Sequence, residues 1–265
     1  TAAQKCFVLV GEANAGKSIL LRVINYILIG AKYVSNVSWQ ALNERFKTAE
    51  LFGKLANIFA DLPTKNIDDN GIFKALVGED TITVEKKHKD PFSFQSYARL
   101  LFSCNNIPKN YGDRSEGFYR RLIIITYRNA VPSDKRDPHL LEKLQSEADG
   151  IFQFALEGLR RLMNNNFVFS ETDVNKLALQ QYREESDSVL SFVSDICELD
   201  QGSVSGSTEI YNAYKAYCEE CGLKPYSQKS FVQQLTTAFP GIKRGKDLTA
   251  KRRTLEGIKL GEILG

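Results

Sequence analysis

Cys6-Phe7-Val8-Leu9-Val10-Gly11-Glu12-Ala13-Asn14-Ala15-Gly16-Lys17-Ser18 joins two kinds of sequence. The apolar, β-type run that comes first suits a strand buried on both faces. The remainder, Gly11–Ser18, has the spacing G-x-x-x-x-G-K-S, in which glycines let backbone N–H groups close around phosphate oxygens. Ser18–Ile29 then reads as a largely apolar helix stopped by Gly30, and the N-terminus of such a helix favours an anion. Strand, loop and helix in that order predict a phosphate site made by Gly11, Glu12, Ala13, Asn14, Ala15, Gly16, Lys17 and Ser18. Lys17 is placed to reach the β- and γ-phosphates of ATP, and the Ser18 hydroxyl to hold Mg²⁺.

Downstream, Asn57–Ala60 reads as a short strand that delivers Asp61, 43 residues after Ser18, and Pro63 bars its continuation. A carboxylate there can hold Mg²⁺ or polarise attacking water. Arg99–Ser103 is the next buried strand and ends in Cys104-Asn105-Asn106. A neutral amide at Asn105 can orient water and touch a γ-phosphate without adding repulsive charge. The adjacent Asn106 leaves the choice of asparagine open. Fifteen residues past Asn105 stand Arg120 and Arg121, just ahead of the strand-like Leu122–Thr126. An arginine offered across a subunit boundary can stabilise charge in phosphoryl transfer.

Between these points, Trp39–Leu55 reads as a helix of mixed charge and Ile72–Leu76 as a short helix. Thr81–Lys89 and Phe92–Phe94 have the character of a hairpin whose tip carries Lys86, Lys87, His88 and Lys89. Several cations on a short hairpin suit phosphate contacts, which give affinity without base preference. Helices are expected from Pro138 to Met163. Strands separated by helices predict an α/β sheet covered on both faces.

The apolar fraction of 43% and charged fraction of 25% are those of an ordinary globular protein with a packed core. A net charge of +3 does not by itself argue for a polyanionic partner, so local clustering of cations decides. Five irregularly spaced cysteines do not make a disulfide framework and point to a reducing, cytoplasmic setting. The apolar run around Ile19–Ile29 is broken by Arg22 and Asn25, so no membrane span is expected. Thr1 in first position, with a strand close behind it, reads as a fragment of a longer protein.

After Met163 the composition changes. Asn164-Asn165-Asn166 is a turn-like break, Glu171–Ser188 a polar helical connection, and Gln201–Ser207 a Gly/Ser-rich loop. Glu209–Cys221 and Gln228–Phe239 read as two helices, and Lys243–Lys259 as a basic two-stranded wing. Helix, helix and wing predict a winged-helix domain. Gln228–Phe239 is its candidate recognition helix, and Lys243, Arg244, Lys246, Lys251, Arg252 and Arg253 are its candidate DNA-contacting cations. Cys218-Glu219-Glu220-Cys221 has the spacing of half a metal site but lacks a second pair, so ordinary helix cysteines are expected. Tyr211, Tyr214 and Tyr217 fall at helical spacing and are expected in the core.

The stretch Asn57–Tyr127 resembles the superfamily 3 helicases, an AAA+ group found in viruses, phages and plasmids, and more closely the helicase half of phage, plasmid and poxvirus-type primase–helicases. The resemblance is carried by Asp61-Leu62-Pro63, Phe73-Lys74-Ala75-Leu76-Val77-Gly78-Glu79-Asp80 and Lys86-Lys87-His88-Lys89-Asp90-Pro91-Phe92. It continues through Ser103-Cys104-Asn105-Asn106-Ile107-Pro108 and Gly117-Phe118-Tyr119-Arg120-Arg121-Leu122. It implies a ring, usually a hexamer, with ATP and Mg²⁺ between subunits. Lys17 and Ser18 would bind phosphate and metal, Asp61 would be the Walker B acid, and Asn105 the sensor. Arg120 or Arg121 would act in trans, and Thr81–Phe94 would be the pore hairpin gripping single-stranded DNA. Lys74 is a further candidate facing the nucleotide or a neighbouring subunit. Two positions depart from the family. Ala60 stands where a second acidic or polar residue often precedes the Walker B acid, and Ala15 stands where Asn often precedes the second glycine.

The expectation is therefore an AAA+ motor over residues 1–164, a helical connection over 165–194 and a winged helix over 195–265. Its activity would be ATP-driven translocation on single-stranded DNA and unwinding of forked duplex, with a primase domain or other replication proteins as partners. The alternative is an ATP-switched origin-recognition or loading protein that does not translocate.

Overall fold

The computed structural model describes residues 3–67, 69–111, 113, 115–223, 225–247 and 252–261. The chain divides into two compact units, Thr1–Tyr182 and Arg183–Gly265.

The first unit is built on the apolar runs that the sequence marks. β1 (Cys6–Gly11) is followed by the loop, α1 (Lys17–Arg22) and a π-helical continuation, Val23–Ile29. Gly30 N donates to Asn25 O across that wider turn, and Gly30, at φ 92°, ends the helix. Then come β2 (Val34–Ser35), β3 (Ala56–Phe59), α2 (Gly71–Gly78), β4 (Thr81–Val84), β5 (Phe92–Gln95) and β6 (Arg99–Cys104). After α3 (Glu116–Tyr119) and β7 (Leu122–Tyr127) come three helices: α4 (Leu140–Ser146), α5 (Ala148–Asn164) and α6 (Asp173–Glu185).

Among the described residues, five strands form one parallel sheet in the order β2-β3-β6-β1-β7. A mixed α/β unit around a parallel sheet is thus the architecture. Its central strands are buried on both faces, which is why they read as unbroken apolar runs rather than as alternation. One face carries Trp39, stacked on Phe73 at 4.5 Å and on Phe102 at 5.1 Å. The other carries Leu9, Leu21, Ala56, Ile58 and Leu101.

The helix expected over Trp39–Leu55 is not formed. The segment makes two short 3₁₀ turns, Gln40–Asn43 and Thr48–Leu51. Trp39, Leu42, Ala49 and Leu51 are all buried, and their spacing does not fit one face of a continuous α-helix. Tertiary burial overrides local propensity here. Hairpin β4–β5 is antiparallel, with Val84 opposite Phe92, so its arms are shorter than Thr81–Lys89 suggested. α6 is held to the first unit where Asn175 donates to Ile124 O (2.6 Å) and Tyr182 to Pro108 O (2.9 Å).

The second unit contains α7 (Ser188–Ile196), β8 (Cys197–Glu198), β9 (Val204–Gly206), α8 (Ser207–Glu220), α9 (Gln228–Ala238), β10 (Lys243–Asp247), β11 (Arg252–Glu256) and β12 (Lys259–Leu260). Tyr214 is fully buried and stacks on Phe231 at 4.3 Å, with Phe192 edge-on to both. Cys218 belongs to the same core, whereas Cys221 is exposed. The strands β10 and β11, over the stretch expected to be two-stranded, pair antiparallel. The loop expected over Gln201–Ser207 instead contributes β9, a third strand on β11. Among the described residues no helix is long and apolar enough to cross a membrane.

Candidate functional site

At the C-terminal end of β1 the backbone turns through three unusual conformations: Gly11 at φ 148°, Asn14 at 61° and Gly16 at 94°. Gly11 is required sterically as well, because a Cβ there would lie 2.1 Å from Tyr127 O on the neighbouring strand. The loop is therefore pressed against the end of β7 and must be bare of side chain at that point.

Lys17 rises from the first turn of α1 and is only 8% exposed. Its ammonium donates to Gly11 O, to Glu12 O (2.7 Å) and to Asn105 Oδ1 (3.2 Å). Of the two adjacent asparagines, Asn105 is the one bonded to Lys17, while both line the cleft beside the loop. Parallel pairing of β6 beside β1 brings the ends of both strands together and sets this contact.

Asp61 comes just after β3, one strand further along. It is exposed, at φ 61°, and its N–H donates to Ser103 Oγ at 3.3 Å. Leu62 N donates to Ser103 O at 2.8 Å, so the turn after β3 is tied to the end of β6. Burial pushes the Cys104 thiol up to about 12; the charge of Lys17 opposes that rise and that of Asp61 adds to it. Both charges thus act on one side chain. The Ser18 hydroxyl and the Asp61 carboxylate are hard oxygen donors, both exposed. Among the described residues no group of three or more His, Cys, Asp or Glu side chains stands together. One hydroxyl with one carboxylate fits Mg²⁺, which keeps waters and takes its other ligands from phosphates.

Arg120 and Arg121 lie at the opposite end of the strands, just before β7. Cys6 N, at the start of β1, donates to Arg121 O at 2.7 Å. β1 then needs five steps of ~3.3 Å, roughly 16 Å, to reach the loop. At that span neither arginine reaches the loop after β1 in its own chain. The two also differ from each other. Arg121 donates to Gly117 O, and its pKa is drawn below the ordinary arginine value by burial and by Arg120, against Asp80 and Asp113. Arg120 is exposed and bonds only Gln4 Oε1, at 3.2 Å, among the described residues. Lys74 is engaged within the chain by Asp113 at 2.7 Å.

The hairpin tip presents Lys86, Lys87, His88 and Lys89, all exposed, around a turn closed by Lys89 N donating to Lys86 O. Beside it lies a groove of about 510 Å³ lined by Phe46, Phe52, Lys54, Lys86 and Lys87, among others. Lys86 Nζ stands 5.7 Å from the ring centres of both Phe52 and Phe92. Sequence reasoning missed Phe46 and Phe52 because only folding brings the turns after Gln40–Asn43 and Thr48–Leu51 against the hairpin. In the second unit, Lys243, Arg244, Lys246, Arg252 and Arg253 are exposed on β10 and β11, while Lys251 lies outside the described residues. Arg244, Lys246 and Arg253 line a groove of about 670 Å³ with Gln228 and Lys229 of α9.

Residues 9–121 match a family of unknown function, DUF5906, and residues 184–258 match the Poxvirus D5 protein-like family. Over 215 residues the chain is 23% identical to "Putative helicase L207/L206" of Acanthamoeba polyphaga mimivirus, covering 71% of this chain and 22% of that protein. It is 24% identical to "Putative helicase V13" of Sputnik virophage, covering 97% of this chain and 35% of that one. The chain therefore spans about a fifth of the first of these curated relatives and about a third of the second. The C-terminal region of NrS-1 has a similar fold, with a TM-score of 0.53 at 11% identity over 97% of this chain and 67% of that one. The resemblance to poxvirus-type and other viral helicases read from the sequence is borne out by these matches, at low identity.

Proposed function

We propose that this chain is the ATP-hydrolysing motor of a superfamily 3 helicase, serving the replication of a virus or mobile element. The coarser reading, a viral helicase- or primase-like protein that hydrolyses nucleotides, is supported by the relatives and by the D5-like match. The observation that carries the finer one is the bond from the Lys17 ammonium to Asn105, with Asp61 tied to the same strand end. A strand inserted between β1 and β3 sets that amide between the phosphate loop and the acid, as an AAA+ core requires.

In this reading the loop N–H groups and Lys17 bind the phosphates of ATP, and Ser18 and Asp61 hold Mg²⁺. The metal, when bound, neutralises charge on the β- and γ-phosphates. Asn105 orients the attacking water. Arg120, free of the ties that hold Arg121, enters the site of the next subunit. A ring is favoured further by the apolar surface on α5, where Phe152, Phe154, Leu159 and Met163 are exposed. The hairpin cations take phosphates of single-stranded DNA, and Phe46 and Phe52 beside them offer stacking surface. The second unit, read as a winged helix, takes duplex or forked DNA in the groove between α9 and the wing.

The test is ATP turnover with and without single-stranded DNA, for the wild type and for a Lys86/Lys87/Lys89 alanine triple. Stimulation by DNA that disappears in the triple supports translocation. A rate indifferent to DNA and to the hairpin, in a preparation that assembles, favours the second reading, an origin-recognition or loading switch. That switch would depend instead on the groove of the second unit.

A further inference from the structure

We infer that Arg128 is a cis cation for the terminal phosphate of the nucleotide. The inference rests on the nucleotide-site reading above and assigns a ligand contact that no motif marks. A cleft of about 480 Å³ beside the phosphate loop is lined by Gly11, Glu12, Ala13, Asn105, Asn106, Tyr127 and Arg128. It is the cleft into which the sensor amide opens, and Arg128 forms part of its wall.

The position of Arg128 is fixed from both sides. Before it, Tyr127 pairs in register with Gly11, so closely that no Cβ fits between them. After it, Val131 N donates to Asn14 O at 3.0 Å and straps the following segment onto the loop. Arg136 Nε in turn donates to Val131 O at 2.9 Å. The stretch between these ties cannot move away from the loop without breaking one of them.

The charges in the cleft call for a second cation. Lys17 is the loop's own, but Glu12 lines the same cleft and Asp61 acts on Cys104 nearby. Both carboxylates repel a triphosphate. Arg128 is exposed, and among the described residues no ion pair or hydrogen bond engages it. Its guanidinium can donate two parallel bonds to one phosphoryl group. Sharing the cleft with Asn105, rather than with Ser18, directs it to the terminal phosphate.

The test is calorimetric binding of ADP and of a non-hydrolysable ATP analogue, each with Mg²⁺, to the full 265-residue chain. The variants are Arg128→Ala, Arg128→Lys and Lys17→Ala. The expected result is about a tenfold or greater loss of affinity for the analogue in Arg128→Ala, in line with a lost charge-assisted bond. ADP affinity and melting temperature should stay near wild type, and Arg128→Lys should recover part of the loss. Unchanged analogue affinity in Arg128→Ala overturns the inference, as does an equal loss for ADP and analogue. If the wild type binds neither nucleotide and Lys17→Ala matches it, the nucleotide-site reading itself fails.

Discussion

Lys17 and Asn105, 88 residues apart in the chain, meet at 3.2 Å between ammonium and amide oxygen. The contact exists because β6 lies parallel to β1 and both strands end at the same level. It separates two adjacent asparagines that the sequence cannot tell apart. Asn105→Ala should lower ATP turnover by about 10²-fold, the order seen when one positioned polar group is removed, and leave ADP binding nearly unchanged. Asn106→Ala should stay near wild type. Steady-state turnover of the two variants checks this, and equal losses would remove the functional meaning of the Lys17 bond.

The loop glycines are needed for different reasons. A methyl on Gly11 collides with Tyr127 O, whereas one on Gly16 meets nothing within 4 Å and faces only an unfavourable φ. Gly11→Ala should therefore cost more stability than Gly16→Ala, about 2 kcal/mol or more against about 1 kcal/mol. Urea unfolding of both variants measures the difference. Equal costs would mean that β7 yields freely to the loop.

Arg120 and Arg121 should separate by readout. Arg121 is bonded to Gly117 O and faces Asp80 and Asp113, so Arg121→Ala should lower the melting temperature as well as the rate. Arg120→Ala should abolish turnover with little change in melting. Mixing Arg120→Ala with Lys17→Ala subunits should restore part of the activity, because each supplies what the other lacks across an interface. If mixing restores nothing in particles that co-assemble, Arg120 is not a trans-acting group.

The features legible in the sequence are the local ones. The parallel strands show as apolar runs because both their faces are covered, and the turn after β1 shows because Gly11 and Gly16 mark its positive-φ positions. Trp39–Leu55 misled because its mix of charged and apolar residues reads as a helix, while burial of Trp39 between Phe73 and Phe102, from a distant helix and strand, dictates short turns instead. Val204–Gly206 hid inside a Gly/Ser-rich stretch and becomes a strand only because β11 supplies its ladder. Phe46 and Phe52 beside the hairpin, and Arg128 beside the loop, line a groove and a cleft assembled across the chain. No spacing rule announces them.

Lys74 gives a prediction in pH. Burial pushes the Asp113 carboxyl up, but bonds from Lys74 and from the side chain and backbone of Ser115 outweigh it, and the net shift is below the ordinary 3.8. A depressed carboxyl contributes stability that is complete above its unfolded-state value and is lost as pH falls through its lower folded-state value. Lys74→Met removes the 2.7 Å ion pair and so should be less stable than wild type near neutrality. The gap should hold down to about pH 5 and close as the medium passes below about pH 4. Because the Lys74 side chain is 35% exposed, screening keeps the gap small, so chemical denaturation at several pH values is the suitable measurement. A gap that persists unchanged at pH 3 would assign the loss to packing of the Lys74 stem rather than to its charge.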